Sequence, residues 1–268
     1  MFSLTGSSKA RLLLSPALAV TLLAAPAARL LASPLPAQSE PAADSKLQAD
    51  LDKALSKKQF ANVHATIQNN MAVLTGTVEL FEAKEDADKR AHHVKGIKGV
   101  ENEIQVNAPA IPDAELEQKL TRAISYDRVG YGTTPFNAIA VQVQNGVVTL
   151  GGHAYGPVDA DSAVGVASNM KGVRDVINEI QVDPLSPMDD RTRILAYRTI
   201  YGFPTLNKYA IDPAKPIRIS VVNGNLTLYG VVDSQADKDA AGIRANSVPG
   251  VFKVTNNLQV ANRPESKG

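Results

Sequence analysis

The four histidines, His64, His92, His93 and His153, are the first residues to weigh for metal or acid–base chemistry. His92 and His93 are neighbours in a helical stretch and point in different directions, and no H-E-x-x-H motif occurs, so no metal site is expected. His153 follows a glycine in a strand and alternates outward, as a surface residue does. With no cysteine there is no thiolate ligand, disulfide or thiol nucleophile. Gly130-Tyr131-Gly132 lacks the spacing of a phosphate loop, and no G-x-S-x-G elbow is present. Asp159, Asp161, Asp237 and Asp239 fall near helix starts, where carboxylates suit the helix dipole better than they suit catalysis. The expectation is no catalytic residue, no metal and no cofactor.

A different kind of chemistry is offered where aromatic and basic residues collect. One cluster holds Tyr126, Arg128, Tyr131 and Phe136; the other holds Tyr201, Phe203, Lys208 and Tyr209. Rings beside cations suit a membrane surface, where a ring sits at headgroup level and the cation meets anionic phospholipid. The same residues also suit packing over the end of a sheet to enlarge a thin core. Tyr126, Arg128, Tyr131, Tyr201, Phe203, Lys208 and Tyr209 are therefore the candidate lipid-binding residues, with both readings open.

The elements around these clusters come from one stretch written three times, at Val63–Val106, Ile139–Val182 and Ile217–Val260, aligned without gaps at offsets of 76 and 78 residues. Each copy opens with strict alternation (Val63, Ala65, Ile67; Ile139, Val141, Val143; Ile217, Ile219, Val221), which marks a half-buried strand. Asn145-Gly146 and Asn223-Gly224 then predict type I′ hairpins, with Asn69-Asn70 a weaker version. In the returning strand, Gly76, Gly152 and Gly230 occupy the inward phase. The following helix carries alanines four apart (Ala87 and Ala91, Ala163 and Ala167, Ala241 and Ala245), so the glycines are read as making room for an alanine face. Gly96, Gly172 and Gly250 are read as left-handed C′ residues in Schellman closures. A third strand ends each copy, parallel to the second by a right-handed crossover, with Asn102, Asn178 and Asn256 pointing inward to tie down a neighbouring loop.

A helix precedes each copy. The first uses Leu47, Leu51, Ala54 and Leu55 behind Asp44; the second Leu116, Leu120, Ala123 and Ile124 behind Asp113. The third begins at Ser186-Pro187 with Asp189 as capping-box acid and an apolar face of Ile194, Leu195 and Tyr197. The fold class is thus α+β: three tandem small domains, each α-β-β-α-β, with a three-stranded mixed sheet covered by two helices. The expected domains span 44–108, 113–183 and 186–262, with a tail at 263–268. Cores this small rarely supply more than roughly 3–5 kcal/mol, so the domains should lean on one another.

The pattern V-x-N-G-x-(V/L)-T-L-x-G, a helix, then (V/P)-G-V-x-x-V-x-N-x-(L/V)-x-V resembles the BON domain family, most clearly in VNGNLTLYGVVDSQADKD and VPGVFKVTNNLQV. The resemblance implies the α-β-β-α-β domain, export beyond the inner membrane, and a non-enzymatic, phospholipid-binding or envelope-maintenance role in the periplasm. A protein-interaction or chaperone-like scaffold for envelope proteins is the alternative.

The N-terminus fits export. Lys9 and Arg11 precede an apolar run from Leu12 to Ala25, with a small-x-small cleavage pattern at Ala25-Pro26-Ala27 and a second candidate end at Ala37. A signal peptide over 1–37, cut at 27 or 37, and a disordered lead-in over 38–43 are expected. Without cysteine, a lipidated-Cys anchor is excluded. The chain has 28 basic and 27 acidic residues; setting aside Lys9, Arg11 and Arg29 leaves 25 against 27, with no basic run of the kind that neutralises nucleic-acid phosphates.

Overall fold

The computed structural model describes residues 41–184 and 186–261. The expected signal peptide, most of the lead-in and the tail lie outside the described residues. Three α-β-β-α-β units follow one another. The first holds α1 (Pro41–Ala54), β1 (Val63–Gln68), β2 (Met71–Val78), α2 (Phe81–His92), β3 (Gly99–Asn102) and β4 (Gln105–Val106). The second holds α3 (Asp113–Asp127), β5 (Ala138–Gln144), β6 (Val147–Ala154), α4 (Pro157–Ser168), β7 (Asp175–Asn178) and β8 (Gln181–Val182). The third holds α5 (Pro187–Tyr201), β9 (Arg218–Val222), β10 (Asn225–Tyr229), β11 (Val231–Val232), α6 (Gln235–Asn246), β12 (Lys253–Asn256) and β13 (Gln259–Val260). Helix α1 starts at Pro41, so the end of the expected lead-in is helical and Asp44 sits inside the helix rather than ahead of it.

Each sheet is mixed, with the central strand antiparallel to the first and parallel to the last. All three hairpin turns have both central residues at positive φ, including Asn69 (+51°) and Asn70 (+63°). The inward alanines Ala87, Ala91, Ala163, Ala167, Ala241 and Ala245 are all buried. The expected single third strand is broken in two, and the conserved offset of 28 residues to the central strand runs through the break. At the break Asn102 Oδ1 accepts from Ile104 N (3.2 Å) while its Nδ2 donates to Lys84 O of α2 (3.0 Å). Asn256 repeats both bonds with Leu258 N and Lys238 O, and Asn178 accepts from Ile180 N. Asn102 and Asn256 therefore bind the broken strand to the helix above it rather than to a loop, while Asn178, exposed, bonds only across the break.

Two glycine readings are corrected. Gly76, Gly152 and Gly230 do not make room for the alanine face; they have φ of +106°, +83° and +124°, and their would-be Cβ atoms face the backbone at or just ahead of the start of the first strand. At Gly152 a Cβ would lie 2.1 Å from Ala138 O. The helices end at His92, Ser168 and Asn246 with right-handed caps, ahead of Gly96, Gly172 and Gly250. Those glycines take the third position of a tight turn closed by Ile97 N to Val94 O, Val173 N to Met170 O and Val251 N to Val248 O, a position where type II geometry needs positive φ. They are not Schellman C′ residues.

The helix-start carboxylates also work differently. Ser186 Oγ accepts from Asp189 N, as expected of an N-cap, but the Asp189 carboxylate accepts from Asn223 N and Gly224 N (2.9 Å each) rather than closing a capping box. Asp113 clamps the Asn145-Gly146 turn in the same way (2.8 and 3.0 Å). The leading helices of the second and third units thereby each hold the hairpin of their own unit. On α5 the buried face is Thr192, Arg193, Ala196, Ile200 and Tyr201, whereas Ile194 and Tyr197 face outward.

The units share their cores. Phe81 of α2 is buried in the hydrophobic cluster of the second unit, beside Leu116 and Val148, and Ser168 Oγ donates to Glu85. Burying one such ring contributes roughly 1.5–3 kcal/mol. The second and third units are joined by a buried polar group. Asp183, in the short linker, accepts from Arg193 Nη2 (3.3 Å) and Ser220 Oγ (2.9 Å), with His153 Nδ1 at 3.1 Å. Arg193 also donates to Val221 O (2.6 Å) and lies over the Tyr155 ring. His153, expected on the surface, is half-buried here because the third sheet's outer face docks on it.

Substituting Gly152→Ala should destabilise the second unit by more than the roughly 1–2 kcal/mol of a left-handed non-glycine residue. Gly151→Ala, with nothing within 4 Å of its Cβ, should be near neutral. Equal melting temperatures for the two variants would contradict this geometry. Arg193→Ala leaves Asp183 short of the buried guanidinium paired with it and should cost about 3–5 kcal/mol in denaturant unfolding; a loss within the scatter of surface substitutions would show the junction does not depend on it.

Candidate functional site

The insertions between leading helix and first strand, absent from the first unit, lie over the helix-start end of α4 and α6. Each is pinned by one buried carboxylate. Asp159 accepts from Thr133 Oγ1 (2.6 Å), Asn137 Nδ2 (2.9 Å) and Arg128 Nε (3.3 Å). Asp237 accepts from Tyr209 OH (2.8 Å), Lys208 Nζ (2.9 Å) and its N-cap partner Ser234 binds its own N–H. The two aspartates are equivalent at the 78-residue offset, and the first unit, which has no insertion, carries the buried Ala83 there. Burial pushes the Asp237 carboxyl up, but the bonds from Lys208, Tyr209 and Ser234 outweigh it and hold it below the ordinary carboxylate range. Hydrogen bonds to Asp233 and then Asp237 hold the Lys208 ammonium above its ordinary value.

This arrangement divides the candidate lipid-binding residues. Tyr201 and Tyr209 are buried, with Tyr201 OH donating to Ile217 O (2.7 Å), and Phe203 is half-buried against the third core under Arg244. Lys208 is committed to Asp233 and Asp237. Tyr201, Phe203 and Tyr209 are thus engaged in packing within the third unit, Tyr201 and Tyr209 also lining the groove described below, while Lys208 stays 46% exposed although paired. Arg128 is tied to Asp159 and stacks over Tyr131 at 3.9 Å. Tyr131 is 67% exposed; Tyr126 is 42% exposed and donates to Asp212 of the third unit (3.0 Å).

Where the two insertions meet, a groove of about 460 Å³ opens between the second and third units. Val129, Pro135, Phe136, Ile194, Tyr197 and Pro213 form its apolar walls, and Arg198 and Asp212 are its charged residues. Phe136 meets Tyr197 edge-on at 6.3 Å across the junction. Behind the wall, Arg218 of β9 donates to Thr134 O (2.7 Å), Ser125 Oγ (3.0 Å) and Pro213 O (3.4 Å), and burial lowers its pKa to about 10. Sequence reasoning missed Val129, Ile194, Tyr197, Arg198 and Arg218 as neighbours. One signal was present: placing α3 on α5 at an offset of 76 aligns Leu116, Leu120 and Ile124 with Thr192, Ala196 and Ile200, which leaves Ile194 and Tyr197 outside. Among the described residues no cluster of His, Asp and Glu has metal-site geometry, and no helix is long and apolar enough to cross a membrane.

Because the folded Asp237 has a lowered pKa, its contribution to stability is present above the unfolded value of about 3.9 and is lost as pH falls through the folded value. Asp237→Asn should therefore lower the melting temperature at neutral pH, and the gap from wild type should shrink below about pH 4. A gap that is the same at pH 7 and pH 3 would refute the anchoring role.

Among known proteins, the chain is similar to the osmotically-inducible protein Y of Escherichia coli, at 25% identity over 53% of this chain and 72% of the relative. It is similar to a 21 kDa hemolysin of Actinobacillus pleuropneumoniae at 26% identity, over 51% of this chain and 71% of that protein. A structural protein of the type III secretion system of Chlamydia trachomatis, CdsD, aligns at 16% identity over 81% of this chain and 92% of its own, with a TM-score of 0.24, too distant to bear on the fold. The family model for the BON domain matches residues 40–108, 112–184 and 205–262, one match in each unit and together well over half of the sequence, and the chain belongs to the BON domain family.

Proposed function

We propose that this is a non-catalytic envelope protein, exported by its N-terminal leader, that associates peripherally with anionic phospholipid surfaces and serves envelope maintenance or osmotic stress. Membership of the BON family supports the reading, and so do its relatives' names, an osmotically-inducible protein and a hemolysin, which suit proteins working at a membrane. The observation that carries it is the apolar rim at the junction of the second and third units. Val129, Tyr131, Ile194 and Ile211 are 47, 67, 47 and 77% exposed there, on segments that line or adjoin one groove, with Arg198 beside them. Apolar side chains concentrated in this way mark a contact surface more often than chance exposure does. Rings and aliphatic groups next to a cation fit the headgroup boundary of a bilayer.

The full chain should float with vesicles containing anionic phospholipid at low salt and much less with vesicles of zwitterionic lipid alone. The double substitution Tyr131→Ser and Ile211→Ser should weaken binding at least about tenfold, since two apolar side chains are withdrawn from the contact. Absence of flotation at low salt would refute the proposal, and unchanged binding by the double variant would refute this placement of the surface.

A further inference from the structure

We infer that the groove between the second and third units binds one molecule of a single-chain anionic amphiphile, of the long-chain fatty acid type, with its chain along the apolar wall and its head at Arg198. The inference rests on the proposed membrane association only for where such a ligand would be met. The groove, at about 460 Å³, falls within the range of roughly 300–1,000 Å³ that holds small ligands. Its walls are supplied by both units: Val129, Pro135 and Phe136 from one, Ile194, Tyr197 and Pro213 from the other.

Charge selects the head group. Asp212, the carboxylate in the lining, is already satisfied by Ala214 N (2.9 Å) and Tyr126 OH (3.0 Å), and lies near Lys215 and Arg122. Arg198 is exposed and, among the described residues, has no ion pair, whereas Arg90, Arg128, Arg193 and Lys208 are each paired with an aspartate. Arg218 adds a second cation from behind: it is largely buried, contacts two wall residues through their carbonyls, and has no carboxylate partner among the described residues. Buried charge without a counter-charge is costly. An anion at the groove would meet the free guanidinium of Arg198 and lower the cost of Arg218 through the wall. A neutral apolar ligand would do neither.

The test is calorimetric titration of the full chain with oleate below its aggregation threshold, and with the alcohol of the same chain length. Oleate should bind at one per chain, and the alcohol at least roughly tenfold more weakly, the loss expected when a charge-assisted bond is removed. Arg198→Glu, an exposed position without side-chain partners, should weaken oleate by a similar factor and leave the alcohol unchanged; Ile194→Asp should weaken both. No oleate binding, or equal binding of acid and alcohol, overturns the inference. Vesicle flotation without oleate binding leaves the membrane reading standing and removes this one; oleate binding without flotation does the reverse.

Discussion

The contact between Arg193 and Asp183 sets the shape of the C-terminal two thirds of the molecule. Both side chains are almost wholly excluded from water, and the pair persists because Ser220, Val221 O and Asp190 take up most of the remaining hydrogen-bonding capacity. Paired charges that deep are weak sources of stability in themselves, yet either one alone would be strongly unfavourable. Their effect is to fix orientation. Asp183 belongs to the linker, Arg193 to α5 and Ser220 to β9, so the third unit meets the second in a single arrangement. That arrangement brings the two insertions together and creates the groove.

The insertions follow a related rule. An irregular loop over the end of a sheet needs a fixed point, and a buried carboxylate at a helix start is a strong one, since the helix dipole and several donors favour its charge. Asp159 and Asp237 fill that place in the two units that carry insertions. The basic residues of the loops, Arg128 and Lys208, are used to neutralise them. Consequently Arg128 and Lys208 serve the fold, and the cations at the groove, Arg198 and Arg218, come from other elements.

Much of the architecture was legible from local pattern. Strand alternation, the Asn-Gly turns and the alanine spacing report interactions between residues close in sequence, and a turn with two positive φ angles admits few side chains. The candidate site was read less well. Tyr201 and Tyr126 look alike in sequence, an aromatic at the end of a leading helix, but one is buried with its hydroxyl on Ile217 O and the other lies at the surface. The apolar face of α5 was misplaced because Thr192 and Ala196 stand where Leu116 and Leu120 stand in α3, and because Arg193, where α3 has Glu117, is buried beside its partner charge on the linker.

By itself, then, the chain dictated three copies of one hairpin–helix–strand unit, its class and its family, because those depend on short-range periodicity and on glycine and asparagine conformations. Tertiary structure decided why the strand glycines are needed, which aromatics face water, and which cations are free. Each of those depends on what approaches from a distant segment: a carbonyl from the neighbouring strand at Gly152, an aspartate from the next helix at Lys208, a second domain at His153. Burial and charge pairing between units are long-range properties, and no pattern within one copy encodes them.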